Sequence, residues 1–198
     1  MKSEKNNLYI ANQENINLAI EKIISGDIII YPTDTLYSFG ADATNSDAII
    51  KLNKIKKRTS PLSIMLLNIT DIKSFAEVDD NIMKKITNIM PGPFTVLLKS
   101  KNNPIISNYV QLNSKLIGIR IANNTFCNKL IKLINKPIIT TSVNMHNCSP
   151  LKNIKDIKNQ FPALSIFFTK NKLTSKGSTI IDFSVSPEKI IRLGDKKK

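Results

Sequence analysis

The chain of 198 residues has few of the residues on which several common classes of functional site depend. It contains one histidine, His146, two cysteines, Cys127 and Cys148, and no tryptophan. One histidine and two cysteines are too few to form a zinc tetrad by themselves or a disulfide framework. A Ser-His-Asp triad would depend on His146, which lies in a polar loop sequence, and we expect no catalytic role for it. We therefore expect two reduced thiols and assign no metal ion to protein ligands.

Long hydrophobic runs are also missing. No apolar stretch approaches the ~20 residues that a membrane-spanning helix requires. Residues Met1–Asn7 are polar and lack the apolar segment and cleavage site of a secretory signal. We expect a cytoplasmic protein without a membrane partner. The length and the hydrophobic content of 41% fit one globular domain.

Acidic residues are in the minority, since the chain has 29 Lys and Arg but only 15 Asp and Glu, which gives a net charge of +14. Such a charge favours anionic partners such as nucleotides, RNA or acidic surfaces. The alternative is a general lysine-rich composition, because lysine is abundant throughout the chain, and the charge alone leaves both interpretations open. We expect Lys196–Lys198 to form a frayed tail.

Apolar periodicity predicts helices that alternate with strands. The first helix spans about 14–25 and carries a stripe of isoleucine and alanine that ends before Gly26. Further helices are predicted near 46–54, 79–89, 124–134 and 152–159, and a short helix is predicted to start at Asp71. Strands are predicted at 28–31, 62–67, 94–98, 116–121, 137–140, 164–168, 178–183 and 189–193. This alternation indicates an α/β fold in which helices pack on a twisted, mixed sheet.

Hydroxyl groups and one carboxylate follow the first predicted strand. Pro32 ends that strand because it has no N–H to donate, and Thr33, Asp34, Thr35 and Tyr37 come after it. Ligands of open α/β sheets bind at the carboxyl ends of strands, so this segment predicts a ligand pocket. An ordinary turn capped by Thr and Asp remains the alternative.

Other polar groups lie at the ends of further predicted strands and helices. Lys56 and Arg58 belong to a basic segment, Arg120 ends a strand, and Thr140–Asn144 follows another. Cations and hydroxyls together suit a phosphate chain or a carboxylate. The segment 176–179 lacks the spacing of a P-loop and is not followed by a helix. The set contains no obvious nucleophile with a base. If the protein binds ATP, the reaction that such a site supports best is nucleotidyl transfer, which depends on positioning and charge neutralisation.

Nine short motifs follow one another along the chain, namely Tyr31-Pro32-Thr33-Asp34-Thr35-Leu36-Tyr37, Lys56-Lys57-Arg58, Pro61-Leu62-Ser63, Pro91-Gly92-Pro93-Phe94-Thr95, Gly118-Ile119-Arg120-Ile121, Ser142-Val143-Asn144, Ser149-Pro150, Ser178-Thr179-Ile180-Ile181-Asp182 and Arg192-Leu193-Gly194. Their order, over about residues 15–194, resembles the YrdC family of threonylcarbamoyl-AMP synthases. The resemblance implies a single YrdC-like domain over 1–198 with a basic concave cavity and a basic tail at 195–198.

The resemblance also implies an activity. The expected enzyme is a nucleotidyltransferase that converts L-threonine, bicarbonate and ATP, with Mg²⁺, into threonylcarbamoyl-adenylate and pyrophosphate for the tRNA threonylcarbamoyl transferase proteins that act next. By motif position, Thr35, Arg120 and Ser142 would bind threonine. ATP would be bound by Lys56, Arg58, Thr140, Ser149, Ser178 and Arg192, and the site would be supported by Thr33, Asp34, Tyr37 and Asn144.

Departures from the family pattern, and separately the net charge of +14, leave other functions open. Ser38 stands where the family usually has glycine, and Met65 stands where many members have histidine near threonine. One alternative is therefore a family paralogue without this activity. The other is a non-catalytic module that binds double-stranded RNA through its backbone. The aromatic content of 6% argues against base stacking as the main mode of RNA contact.

Overall fold

The computed structural model describes residues 7–101 and 103–195. The predicted lysine tail Lys196–Lys198 lies outside this range, whereas Asp195 forms a β-bridge with Ser178. The helices are α1 (Ile16–Ile24), α2 (Ser46–Lys56), α3 (Ile72–Phe75), α4 (Asp80–Thr87), α5 (Asn108–Gln111), α6 (Thr125–Ile134) and α7 (Ile154–Gln160), with a 3-10 turn at Ile69–Asp71. The strands are β1 (Leu8–Ile10), β2 (Ile29–Pro32), β3 (Tyr37–Gly40), β4 (Ser63–Met65), β5 (Ala76–Glu77), β6 (Phe94–Ser100), β7 (Leu116–Arg120), β8 (Ile138–Ser142), β9 (Ser165–Phe168), β10 (Thr179–Asp182) and β11 (Lys189–Arg192).

All of these strands belong to one mixed sheet. Its order is β1-β9-β2-β3-β8-β4-β7-β6-β10-β11, and β5 pairs with β6. The pairs β1–β9, β2–β9, β4–β7 and β6–β10 are parallel, and the other pairs are antiparallel. The α/β class and the twisted, mixed sheet predicted from the sequence are confirmed. No helix within the described ranges is long and apolar enough to cross a membrane.

Helices α1 and α6 pack against each other on one face of the sheet. In α1 the residues Ile16, Ala19 and Ile23 are buried, and Gly26 follows the helix at a φ of +83°. Ile24, which the predicted stripe includes, is 60% exposed. The apolar side of α1 is therefore narrower than its sequence suggests, because contact with α6 and the sheet covers only part of the stripe.

The strands present different side chains to the two faces of the sheet, as the two-residue period requires. The face under α1 and α6 includes Ile29, Tyr31, Met65 and Ile138, and the opposite face includes Ile28, Ile30, Phe39, Ile64 and Ile139. In β8, the same period places Thr140 and Ser142 on the face of Ile138. This face therefore changes from apolar to hydroxyl-bearing along a single strand.

Some predicted boundaries are wrong. The first strand includes Pro32, and the chain then returns as β3 in an antiparallel hairpin that the sequence analysis treats as a loop. Pro32 pairs with Tyr37 at the end of this hairpin, and the Thr33 N–H donates to the Leu36 carbonyl at 3.1 Å to close the turn. Strand β8 continues through Ser142 instead of ending at Thr140.

Candidate functional site

A cavity of about 110 Å³ is lined by residues of strands β3, β4, β6, β7, β8, β10 and β11 and of the segments beside them. Seven of the residues predicted to bind substrates line it, namely Thr35, Arg58, Arg120, Thr140, Ser142, Ser178 and Arg192. They come from the β2–β3 turn, the segment after α2, strands β7, β8 and β11, and the residue before β10. The fold therefore brings together groups that are as far as 157 positions apart, from Thr35 to Arg192.

The hydroxyl groups of the cavity are placed by strand register. Ser38 of β3 pairs with Ser142 of β8, and Ser63 of β4 pairs with Thr140 of β8. Directly paired residues point to the same face, so four hydroxyls gather on one side of the sheet. Gly118 of β7 pairs with Ser63, and a Cβ atom at Gly118 would lie 2.5 Å from the Ser63 Oγ. Glycine at this position therefore leaves room for the Ser63 hydroxyl.

The β2–β3 turn is organised by Thr33. Its Oγ1 accepts hydrogen bonds from the N–H groups of Thr35 and Leu36 at 3.1 and 3.2 Å, and donates to the Leu36 carbonyl at 2.8 Å. The Thr33 and Thr35 hydroxyls are 3.1 Å apart. Thr33 thus shapes the turn from inside, whereas Thr35 lines the cavity.

Arg120 and Asp34 form a buried ion pair at the cavity. Arg120 Nη2 donates to Asp34 Oδ1 at 2.7 Å, and the side chains are 6% and 9% exposed. Asp34 Oδ2 accepts from the Asn123 N–H at 3.2 Å, which fixes the carboxylate. Arg120 Nε is buried without a hydrogen-bond partner among the described residues. Asp34 therefore holds one nitrogen of the guanidinium, and the donors of Arg120 are not all used by the protein.

Arg192 lies at a second part of the cavity, beside Ser178. Its Nη2 donates to the Ser178 carbonyl at 2.8 Å and to the Ser178 Oγ at 3.1 Å. The Ser178 Oγ also lies 2.8 Å from the Thr95 Oγ1. Burial and the charge of Arg120 lower the pKa of Arg192.

Arg58 is the third guanidinium of the cavity. Its Nε and Nη2 donate to the carbonyls of Ser60 and Pro61 at 2.8 and 2.6 Å. Burial and the charge of Arg192 lower the pKa of Arg58. Within the described ranges, Arg120 is the one of these three guanidinium groups with a carboxylate partner, and Arg58 and Arg192 donate to carbonyl and hydroxyl oxygens instead.

Lys56 lies next to this site but is not among the residues that line the cavity. It is fully buried, and its Nζ donates to the carbonyls of Ser142 and Asn144 at 2.6 and 2.8 Å and to the Asn144 Oδ1 at 3.2 Å. The Nζ also lies 5.0 Å from the centre of the Phe39 ring. Burial and the charge of Arg58 lower the pKa of Lys56 to about 7.

The remaining predicted residues are placed around the cavity rather than in its lining. Asn144 Oδ1 accepts from the Ser142 Oγ at 2.7 Å, so Asn144 lies behind Ser142. Tyr37 donates to the Thr169 carbonyl at 3.4 Å and accepts from the Thr169 N–H at 3.2 Å. Ser149 is exposed and does not line the cavity.

Several residues that line the cavity had no individual binding role predicted from the sequence, namely Leu36, Ser38, Ser63, Thr95, Thr141, Gly177 and Ile180. Ser63 and Thr95 carry a recognisable signal, because each interrupts an apolar strand with a hydroxyl. A polar residue on the core side of such a strand is expected to have a hydrogen-bond partner or a ligand. Within residues 7–101 and 103–195, no group of three or more His, Cys, Asp or Glu residues could hold a metal ion.

Comparisons with known proteins identify the family of the chain. The sequence model of the Sua5/YciO/YrdC family, described as telomere recombination, matches residues 21–194. A Methanocaldococcus jannaschii protein, provisionally named threonylcarbamoyl-AMP synthase, is 33% identical over 194 residues, which cover 94% of this chain and 89% of that protein. The threonylcarbamoyl-AMP synthase of Bos taurus is 27% identical over 183 residues, covering 87% of this chain. The match spans 64% of the bovine protein, which is less than two thirds of its length.

The fold is also found in a solved structure. P. abyssi Sua5, crystallised with L-threonine, superimposes with a TM-score of 0.83 at 23% identity. This match covers 92% of the present chain and 55% of the P. abyssi chain. At this level of identity the likeness concerns the fold.

Proposed function

The chain belongs to the Sua5/YciO/YrdC family, and from this premise we propose that it is a threonylcarbamoyl-AMP synthase. The proposed reaction forms threonylcarbamoyl-adenylate and pyrophosphate from L-threonine, bicarbonate and ATP. The observation that carries the proposal is the meeting of three guanidinium groups and several hydroxyls in one cavity. A carboxylate and a phosphate chain are the ligands that such a set of donors recognises.

The amino acid would bind at Arg120. Its guanidinium lines the cavity, and Asp34 holds it from behind by one nitrogen. The substrate carboxylate would receive hydrogen bonds from the remaining donors, while the hydroxyls of Thr35 and Ser142 would meet the other polar groups of threonine.

ATP would bind toward Arg58 and Arg192, with Thr140 and Ser178 as hydroxyl donors. The cavity of about 110 Å³ is smaller than the roughly 300–1,000 Å³ of typical small-molecule sites. The phosphates would therefore occupy the enclosed part, and the adenosine would extend beyond it, where Ser149 is proposed to contact it.

The proposed chemistry has two steps. The amino group of threonine attacks the carbon of bicarbonate, and loss of water gives a carbamate. A carbamate oxygen then attacks the α-phosphorus of ATP. The bond between the α-phosphorus and the oxygen that bridges it to the β-phosphorus breaks, and pyrophosphate leaves. Arg58 and Arg192 would offset the charge that develops on the phosphate oxygens.

Magnesium would enter with the nucleotide. Asp34 pairs with the cavity residue Arg120, and both of its oxygens already accept hydrogen bonds, one from Arg120 and one from the Asn123 N–H. The described residues therefore do not provide a carboxylate cluster for a metal ion, and a Mg²⁺ bound by ATP would hold phosphate oxygens and water. Its contribution would be to neutralise phosphate charge.

The test is a pyrophosphate-release assay with every combination of the three substrates. We expect release when threonine, bicarbonate and ATP are present together. In Arg58→Gln and Arg192→Gln the KM for ATP should rise by roughly 10- to 100-fold, which corresponds to about 1–3 kcal/mol per charge-assisted contact. His146→Ala is the matched control, and its activity should stay within about twofold of the parent.

Two other outcomes would favour the alternatives. A folded chain that releases no pyrophosphate in any combination but binds double-stranded RNA in a salt-dependent manner would be an RNA-binding module, consistent with its net charge of +14. A chain that does neither would be a family paralogue without this activity. The product of the proposed reaction would be consumed by tRNA threonylcarbamoyl transferase proteins.

A further inference from the structure

The motif position of Lys56 predicts phosphate binding, but its side chain is buried and has no hydrogen-bond donor left for a phosphate. Lys56 is the last residue of α2, and no part of its side chain is exposed. A lysine ammonium has three N–H donors and no acceptor. Each of these donors has an oxygen partner, two of them backbone carbonyls, at 2.6, 2.8 and 3.2 Å. No donor remains for a ligand.

The partners of Lys56 show what it stabilises. Ser142 and Asn144 end β8 and begin the following loop, and Ser142 lines the cavity. The Ser142 Oγ donates to the Asn144 Oδ1 at 2.7 Å, and Asn144 Nδ2 donates to the carbonyls of Met145 and Cys148 at 2.8 and 2.7 Å. Lys56 therefore lies beneath a hydrogen-bonded segment whose orientation determines where the Ser142 hydroxyl points.

Phe39 lies beside the same ammonium, which is 5.0 Å from the ring centre. A cation over an aromatic face is attracted by the ring quadrupole, most strongly where water is excluded. Arg58, two residues further on, contributes to the cavity lining instead. Two basic residues of one motif thus differ, because Lys56 is buried behind the cavity and Arg58 lines it.

We propose that Lys56 is a positioning residue that fixes Ser142 and Asn144 from behind the cavity, and that it does not contact the phosphates of ATP. Its kinetic consequence rests on the proposed function, because Ser142 is expected to contact the amino acid. Loss of Lys56 should then impair the use of threonine more than the use of ATP. If Lys56 bound a phosphate of ATP, its loss would instead impair the use of ATP more than the use of threonine.

The first test measures the reactivity of the native chain toward an amine-acylating reagent, with and without ATP. Peptides produced by a protease that does not cleave at lysine are analysed by mass spectrometry. We expect Lys56 to remain unmodified in both conditions, while the adjacent Lys57, which is exposed, reacts. Modification of Lys56 without ATP, followed by protection when ATP is added, would overturn the proposal. This measurement depends neither on a variant that folds nor on turnover.

The second test compares Lys56→Met with Lys57→Met as the matched control. Loss of a charged hydrogen-bonding group should raise the KM for threonine about tenfold in Lys56→Met, with the KM for ATP within about twofold of the parent. Adding Ser142→Ala to Lys56→Met should have a smaller effect than Ser142→Ala alone, because the two residues act through one contact. A selective rise in the KM for ATP, or independent effects of the two substitutions, would contradict the proposal.

The labelling test and the kinetic test together distinguish a failure of this proposal from a failure of the proposed function. If the parent chain releases no pyrophosphate in any substrate combination, the synthase activity fails and the labelling result still decides whether Lys56 is accessible to a ligand. If the parent is active and Lys56 is labelled and protected by ATP, the positioning role fails and the synthase activity stands.

Discussion

The buried pair of Asp34 and Arg120 gives the clearest energetic prediction. We consider Asp34→Asn, which keeps the size of the side chain and removes its charge. Arg120 would then remain 6% exposed without its carboxylate partner, and the amide nitrogen of the new side chain would face a donor at Arg120 or at Asn123. The substitution therefore leaves an uncompensated cation inside the protein.

Removing one partner of a buried ion pair costs about 3–5 kcal/mol, because the remaining charge is neither hydrated nor neutralised. For a chain of this length each kcal/mol lowers the Tm by roughly 2–4 °C, so the expected decrease is roughly 6–20 °C. The double variant with Arg120→Met should lose less than Asp34→Asn alone, since it leaves no buried charge.

The assay is urea unfolding of the parent, both variants and a matched control, Asp42→Asn. Asp42 pairs with Lys136 at 2.7 Å, but the Lys136 side chain is 48% exposed and can be hydrated when the carboxylate is lost. The control should lose about 1 kcal/mol or less. Equal losses in Asp34→Asn and the control, or a loss in Asp34→Asn below about 1 kcal/mol, would refute the reasoning.

Three further predictions concern packing, protonation and thiol reactivity. Gly118→Ala should lower the free energy of unfolding by about 1–3 kcal/mol, because its Cβ would meet the Ser63 hydroxyl, and an unchanged urea midpoint would show that Ser63 moves away freely. The pKa of Lys56 is lowered to about 7 by burial and the neighbouring guanidinium, so between about pH 7 and 10.4 the unfolded chain binds a proton that the folded chain has lost. The free energy of unfolding should therefore rise with pH in this window relative to Lys56→Met, and a difference that does not change with pH would contradict the lowered pKa. Cys148 is exposed and should react with a thiol reagent in the native state, whereas burial raises the pKa of the Cys127 thiol and should protect it until the chain unfolds.

The helices were predictable where one side of the sequence is consistently apolar and a capping residue marks the end. The stripe of α1 and the glycine after it define that helix, and α6 begins after Asn124, whose Oδ1 accepts from the Cys127 N–H at 3.0 Å. These signals are local, so they can be read without knowledge of the partners.

Short strands were harder to predict because their stability comes from their neighbours. Strand β3 has four residues, two of which are Ser38 and Gly40, and it is defined by pairing with β2 and β8. Strand β1 has three residues and pairs with β9, which is 158 positions away from Leu8 to Ile166. Neither segment has a pattern that distinguishes it from a loop.

The candidate site was predictable in its residue types more than in its arrangement. Arg58, Arg120 and Arg192 were selected from separate motifs, and the fold places all three at one cavity. The burial of Lys56 could not be predicted, since a lysine beside Lys57 and Arg58 has the sequence context of an exposed basic segment. Which charged residue of such a segment turns inward depends on carbonyl acceptors that belong to a distant strand and to the loop that follows it.

The hydroxyls that pair across β3, β4 and β8 are fixed by the sheet itself. Their backbone lost its conformational freedom when the sheet formed, so a ligand would gain their hydrogen bonds with little additional loss of entropy. A slip of β8 by one residue would turn the side chains of Thr140 and Ser142 to the opposite face of the sheet. The selectivity of these hydroxyls for a ligand therefore depends on the register of the strands. To alter it, an engineer would have to exchange side chains on the same strands instead of remodelling loops.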